Sequence, residues 1–505
     1  MAVARSSAGD ASHCHDVIIV GAGLSGIGAA CHLRRECPDR DLRILESRAC
    51  SGGTWDLFRY PGVRSDSDMH TLGYDFRPWT GAKAIAEGEA ILRYIRDTAA
   101  EQAVEPLIRY RQAVERADWD SATQYWTLTV HDGETGEKVS YRARFLLLCA
   151  GYYRYDHGYQ PAFPGIEDFS GDFVHPQHWP ATLDYRGKRV LVIGSGATAM
   201  TLVPAMAADA AEVVLLQRSP SYVIARSSTD RLAGALGRIF SSRWAYAVAR
   251  WKNTRLQYWF FRWARRAPEQ VRRYLLRGVE KALGNSSLGD FTPGYNPWEQ
   301  RLCVVPDGDL FEALRGGAAR MVTGRIERIT AGGVRLTDGR HLATDILVSA
   351  TGLELQLMGG IDIRVDGAPF DFPASWSYRG IMCSGLPNLV AVFGYVNASW
   401  TLRADLVSRW CCRLLNHMRD GGYASVTPEL QPVDRDMTAR PWIEDFSAGY
   451  LQRVMHRLPR QGDRPPWTNC QDYFRERRAF QHMALDEAQL CYRTPGDAAD
   501  AAARG

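Results

Sequence analysis

Two apolar strands each run into a glycine-rich turn and a helix, and two later apolar strands close the same pattern. These observations predict an α/β chain of two dinucleotide-binding (Rossmann-like) domains. The first turn lies in Asp16-Val-Ile-Ile-Val-Gly-Ala-Gly-Leu-Ser-Gly26, and the second in Val190-Leu-Val-Ile-Gly-Ser-Gly-Ala-Thr-Ala199. Gly21, Gly23 and Gly26, and then Gly194 and Gly196, let the backbone approach a pyrophosphate held at a helix N-terminus. Ser195 and Thr198 are the polar members of the second turn and join its binding set.

The ends of the following strands separate the two cofactors. Leu42-Arg-Ile-Leu leads into Glu46, whose carboxylate accepts from ribose hydroxyls and repels a 2′-phosphate. Val213-Val-Leu-Leu-Gln217 leads into Arg218 and Ser219, and a guanidinium there suits a 2′-phosphate. One dinucleotide lacks the extra phosphate and the other carries it, which predicts FAD with NADPH.

The repeat sets the domain order. Its first copy closes at Phe145-Leu-Leu-Leu-Cys-Ala-Gly151, its second at Asp345-Ile-Leu-Val-Ser-Ala-Thr-Gly352. The layout predicts an NADPH domain (156–350) inserted in an FAD domain (13–155 and 351–495), with crossovers near Gly151–Pro164 and Gly352. Residues 1–12 and 496–505 are expected to be disordered tails. Within the NADPH domain, 226–297 reads as a helical insertion. From Arg231 to Pro268 it holds nine Lys/Arg and no Asp or Glu, interleaved with Trp244, Trp251, Trp259 and Trp263. Two readings stand: a helical subdomain packed over the active site or another subunit, or peripheral contact of 231–268 with an anionic membrane.

At 505 residues the chain exceeds one ordinary domain, and 46% apolar with 23% charged residues fits a globular protein. A net charge of +4 does not suggest a nucleic-acid partner. No run of 18 apolar residues predicts a transmembrane helix, and Met1–His15 lacks the apolar core of a secretion signal. Eleven scattered cysteines without a CxxC read as reduced thiols of a cytoplasmic protein, with no metal site. Cys411-Cys412 reads as two small buried residues on a helix rather than a redox pair.

The remaining motifs cluster after Glu46 and in the first crossover. Gly52, Gly53, Thr54 and Trp55 form a loop suited to lie against a flavin ring, followed by Tyr60-Pro-Gly62 and Asp66. The crossover carries Phe169-Ser-Gly-Asp-Phe-Val-His-Pro-Gln-His-Trp179. At these residues the chain resembles the flavin-dependent Baeyer–Villiger monooxygenases. Their FxGxxxHxxxW fingerprint is filled by Phe169, Gly171, His175 and Trp179, and [AG]GxWxxxx[FY]P[GM]xxxD by Gly52 through Asp66. The resemblance spans nearly the whole chain and is closest to the actinobacterial branch that includes the ethionamide-activating monooxygenase.

The resemblance implies a ketone or sulfur-containing substrate and O2 as co-substrate. It implies that an anionic flavin C4a-peroxide would attack the ketone carbonyl and that the adduct would collapse, a carbon migrating to oxygen, to an ester or lactone. It implies that Arg301, in Tyr295-Asn-Pro-Trp-Glu-Gln-Arg301, supplies the fixed cation and that Asp66 pairs with it. His175 and Trp179 are implied to couple the two nucleotide domains, although His175 is by residue type also a candidate general base. Many family members carry Lys before the arginine; Gln300 stands here, which shifts 2′-phosphate recognition towards Arg218 and Ser219. Asn397 and Trp400 either face the flavin or form a buried connection. The alternative activity is heteroatom oxidation of amines or sulfides without ketone oxidation. A disulfide reductase would need a cysteine pair where Cys50 stands alone, and a non-enzymatic flavin protein would not need two sites of different ribose specificity.

Overall fold

The computed structural model describes residues 13–284, 288–444 and 446–497. The expected tails lie outside the described residues, except Gly496 and Asp497, which follow a turn where Asp497 accepts from the Thr494 amide at 2.6 Å.

Nine strands form the first sheet. Its parallel half orders Ile108–Arg109, Leu42–Leu45, Cys14–Val20, Lys138–Leu148 and Leu389–Ala391, with Val17 opposite both Leu42 and Phe145. Val17, Ile18 and Ile19 are wholly buried, as a continuous apolar run in a parallel strand covered on both faces should be. The first half of Lys138–Leu148 also pairs antiparallel with Tyr125–Asp132, which pairs with Gln112–Asp120. Trp126, Leu128 and Val130 alternate inward there, the period of a strand with one buried face. Asp362–Val365 extends this half, with Ala368–Pro369 at the edge.

All five strands of the second sheet are parallel: Ala319–Thr323, Glu212–Gln217, Arg189–Ile193, Ile346–Ser349 and Asp172–Val174. Val190 and Val192 face helix Ala197–Met206, while Leu191 and Ile193 face Ile329, Val334 and Leu336 of a small antiparallel layer. These strands all fall between Asp172 and Ser349, so the chain leaves the first sheet after Leu148 and returns at Asp362. The outgoing and returning crossovers lie antiparallel: Arg154 N donates to Glu354 O at 2.9 Å and Gln356 N to Tyr152 O at 3.0 Å.

Three helices, Arg231–Ile239, Ser242–Arg266 and Pro268–Leu283, make up the insertion. Asp230 caps the first, accepting from Ala233 N, Ser241 caps the second, accepting from Trp244 N, and Pro268 opens the third. The long middle helix buries Ala245, Tyr246 and Ala249 against the short helix Met69–Leu72 of the first sheet's domain. Arg250 crosses this contact, donating to His70 O at 3.0 Å and Gly73 O at 2.7 Å. Cys411 and Cys412 are buried on helix Trp400–Asp420, and none of the eleven cysteines is paired. Among the described residues, no helix is long and apolar enough to cross a membrane.

Candidate active site

The first turn builds a cradle that a Cβ would fill. Gly21 has φ +102°, and a Cβ on it would stand 2.7 Å from the Cys149 carbonyl oxygen. Gly23 caps helix Leu24–Glu36, and Gly26 packs so tightly on Gly21 that a side chain is excluded. Gly53, at φ +55°, brings its backbone against Gly23, so the second glycine loop closes over the first turn. Glu46 is buried, with Oε2 accepting from Ala22 N at 2.7 Å and Oε1 from Arg48 N at 2.9 Å. Burial pushes its pKa up while those amides oppose the rise. The amides aim the carboxylate and leave it lone pairs for ribose hydroxyls.

This cradle is one end of a cleft of about 500 Å³, which also reaches Thr54, Trp55, Asp66, Thr198 and Arg301. Its size and glycine floor fit a dinucleotide with an extended ring system. Thr54 Oγ1 lies 3.3 Å from the Tyr155 hydroxyl, fixing the loop that carries Trp55. Trp400 lines the same cleft and donates from Nε1 to Ser25 Oγ at 2.7 Å. Asn397 is not in this cleft; its Nδ2 donates to Gln471 O at 2.9 Å, and it lines a neighbouring cavity.

At the second turn, Gly194 has φ +144°, and a Cβ there would stand 2.3 Å from Ala350 O. Gly196, capping helix Ala197–Met206, has open space where its Cβ would be. Ser195 Oγ accepts from Ser221 Oγ at 3.0 Å. Arg218 and Ser219 are exposed just beyond the strand end, outside the large cleft. Thr198 faces Tyr60, whose phenol burial pushes up to about 12, so the helix after the second turn meets the segment after the second glycine loop through a neutral hydroxyl.

Arg301 Nη1 lies 3.2 Å from Asp66 Oδ2, joining residues 235 positions apart. Arg301 is 38% and Asp66 33% exposed, both into the cleft. The low-dielectric walls are the largest single influence and oppose the arginine's charge, but Asp66 together with the neighbouring Tyr152, Tyr450 and Tyr153 holds its pKa above the usual arginine value. The loop that presents Arg301 is pinned on both sides: Tyr222 donates to Tyr295 O at 3.0 Å, and Ser447 N to Glu299 O at 2.8 Å. Trp298, within it, is held at φ +70°, backbone strain of the kind that persists where surrounding contacts enforce it.

His175 stands elsewhere, bridging the crossovers. Its Nε2 lies 3.2 Å from Gly352 O, and its Nδ1 accepts from Gln177 N at 3.3 Å. That pair of bonds needs the neutral ring, in keeping with burial lowering its pKa. Trp179 packs on the core of the second sheet.

Residue-by-residue reading singled out Trp400 but missed the rest of the aromatic wall around Arg301. Tyr152 and Tyr153 bond hydroxyl to hydroxyl at 2.9 Å, and Tyr152 stacks on Trp400 with ring centres 5.0 Å apart. Tyr152 and Trp400, with Phe393 and Tyr450, line a small pocket that Arg301 also borders. Burial raises the phenol pKa values, to about 12 for Tyr153, so these hydroxyls are neutral donors. The signal was the Tyr-Tyr pair directly after Gly151, at the crossover.

Comparison with known proteins gives the family. Residues 19–80 match the NAD(P)-binding Rossmann-like domain, and residues 83–276 the flavin-binding monooxygenase-like family. The FAD-containing monooxygenase EthA of Mycobacterium tuberculosis is 48% identical over 478 residues, covering 94% of this chain and 97% of the relative. The chain belongs to the FAD-containing monooxygenases. EthA of Mycolicibacterium smegmatis is 46% identical over 478 residues, 94% of this chain and 96% of its own. The fold of this monooxygenase is shared by an oxidised steroid monooxygenase bound to NADP, with TM-score 0.76, 22% identity, and coverage of 95% of this chain and 100% of that one.

Proposed function

We propose that the chain is an FAD- and NADPH-dependent Baeyer–Villiger monooxygenase that inserts one oxygen atom of O2 into a ketone, giving an ester or lactone, and also oxidises sulfur in thioethers or thioamides. The observation that carries this reading is the Arg301–Asp66 pair in the wall of the flavin cleft. Bound FAD, reduced by NADPH, supplies the electrons that activate O2. Arg301 provides a fixed positive charge where negative charge develops, in a cleft that strengthens it. Asp66 orients the guanidinium, and the neutral Tyr152 and Tyr153 hydroxyls offer donors beside the substrate. Phe393, Trp400 and Tyr450 exclude water from that corner.

Cofactor sorting follows from the same surfaces. Gly21, Gly23, Gly26, Glu46, Gly53, Thr54, Trp55 and Asp66 hold FAD; Gly194, Ser195, Gly196, Thr198, Arg218 and Ser219 hold NADPH. His175 and Trp179 couple the FAD domain (13–155 and 351–495) to the NADPH domain (156–350) and transfer no proton in the reaction. A cytoplasmic location is part of the same proposal and rests on the scattered cysteine spacing of the sequence.

The test is aerobic NADPH oxidation by FAD-loaded protein with aryl and long-chain ketones, products being identified by mass spectrometry. An ester one oxygen heavier than its ketone is expected. Hydrogen peroxide alone from every ketone, with sulfoxides from parallel thioethers, would replace this reading with heteroatom oxidation.

A further inference from the structure

Exposed apolar surface is concentrated in one place. Of the eleven large apolar side chains exposed among the described residues, nine fall between Leu232 and Tyr274. Ile239 is 75% exposed, Trp259 61% and Trp251 57%. Such clustering marks an interaction surface rather than the scattered apolar exposure of an ordinary face.

Charge is concentrated in the same segment. The whole chain is nearly balanced, with 61 Lys+Arg against 57 Asp+Glu, yet 231–268 carries nine basic and no acidic residues. Arg250 and Lys252 turn inward to Asp405 and Asp230. Arg231, Arg238, Arg243, Arg265 and Arg266 are exposed. On the middle helix Trp244, Trp251, Arg255, Trp259 and Arg266 follow at intervals of four and seven, so they share one face. Cations and indoles are interleaved on it, and Arg255 lies 4.1 Å over the Trp251 ring. An interleaved basic and tryptophan face matches the headgroup layer, where indoles and snorkelling arginines both find partners.

We propose that the outer face of Arg231–Ile239 and Ser242–Arg266 docks the protein peripherally on an anionic lipid bilayer. The inner side of the long helix gives this docking a use. Thr254, Gln257, Tyr258, Phe261 and Arg262 line a cavity of about 220 Å³ that reaches Ala398, and Ala398 also lines the flavin cleft. Docking places this cavity beside the bilayer, where apolar substrates partition. The docking itself does not depend on which atom the enzyme oxidises.

The experiment is flotation of full-length, FAD-loaded protein with phosphatidylglycerol-containing vesicles and with pure phosphatidylcholine vesicles. Protein is expected to float with the anionic vesicles, and about tenfold less with neutral ones or in about 0.5 M salt. Trp251→Ser/Trp259→Ser and Arg238→Glu/Arg243→Glu should each abolish flotation, while FAD content and flavin reduction by NADPH stay at the parent level. Protein left at the bottom with anionic vesicles, or floating equally on neutral ones regardless of salt, overturns the proposal. So does a dimer, seen by light scattering, that Trp251→Ser/Trp259→Ser dissociates while no form binds vesicles; the face would then join two copies of the chain.

Discussion

Gly23→Ala and Gly196→Ala should separate the two dinucleotides cleanly, because neither change troubles the protein itself. Gly23 has φ −81° and Gly196 φ −85°, both open to alanine. A Cβ on Gly23 would meet only the Gly53 backbone, at an ordinary 3.5 Å, and a Cβ on Gly196 would meet nothing within 4 Å. Replacing glycine by alanine at a helix N-cap costs under about 1 kcal/mol of stability. The methyl instead occupies the space through which a pyrophosphate reaches the helix N-terminus. Loss of one charge-assisted hydrogen bond is about 2 kcal/mol, roughly thirtyfold in affinity. Gly196→Ala should therefore raise the KM for NADPH about thirtyfold with FAD content unchanged. Gly23→Ala should weaken FAD retention by a similar factor, with the KM for NADPH unchanged in the reconstituted enzyme. Thermal unfolding of both apoproteins checks that the fold survives. An unchanged KM in Gly196→Ala, or both cofactors weakened by one substitution, refutes the reasoning.

Arg218→Ala should raise the KM for NADPH about thirtyfold while changing kcat and the KM for NADH little; an equal effect on both cofactors would mean that Arg218 does not meet the 2′-phosphate. His32 is buried between Asp405 at 3.3 Å and Glu36 at 3.5 Å. Burial opposes its charge, but these carboxylates prevail and raise its pKa from 6.5 to about 9. The resulting stabilisation, on the order of 3 kcal/mol, is complete below about pH 6.5 and is lost as pH rises through about 9. Thermal unfolding across that range should show the loss, and His32→Gln should flatten it. Arg403, 0% exposed and 3.0 Å from Glu476, leaves a buried charge behind when removed. Arg403→Met should cost about 4 kcal/mol in denaturant unfolding, and adding Glu476→Gln should recover part of it.

Much of this was legible in the sequence because it depends on short-range constraints. Gly21 and Gly194 advertise backbone conformations and close approaches that other residues do not tolerate, and Val17–Ile19 advertise a strand buried on both faces. The Arg301–Asp66 contact came only through the family resemblance, since no spacing rule joins residues 235 positions apart. Trp400 stood out in the sequence, but the rest of the aromatic wall escaped because Tyr152, Phe393 and Tyr450 converge on it from separate segments, each resembling ordinary core. The insertion was legible in composition but not in orientation. Its inner face packs on Met69–Leu72 through Tyr246 and Arg250, while its tryptophans point outward. Glu46 kept its place at the strand end, but its bond to Ala22 N arises only when the turn folds back over it.

The most direct test of the central claim is a stopped-flow comparison of the parent and Arg301→Ala in anaerobic and then aerobic buffer, with ester yield measured from the same samples. Reduction of FAD by NADPH should proceed within about threefold of the parent rate, because Arg301 acts after hydride transfer, while ester formation should fall by about a hundredfold or more. Ester formed by Arg301→Ala at the parent rate would contradict the account and remove the Arg301–Asp66 pair from the reaction.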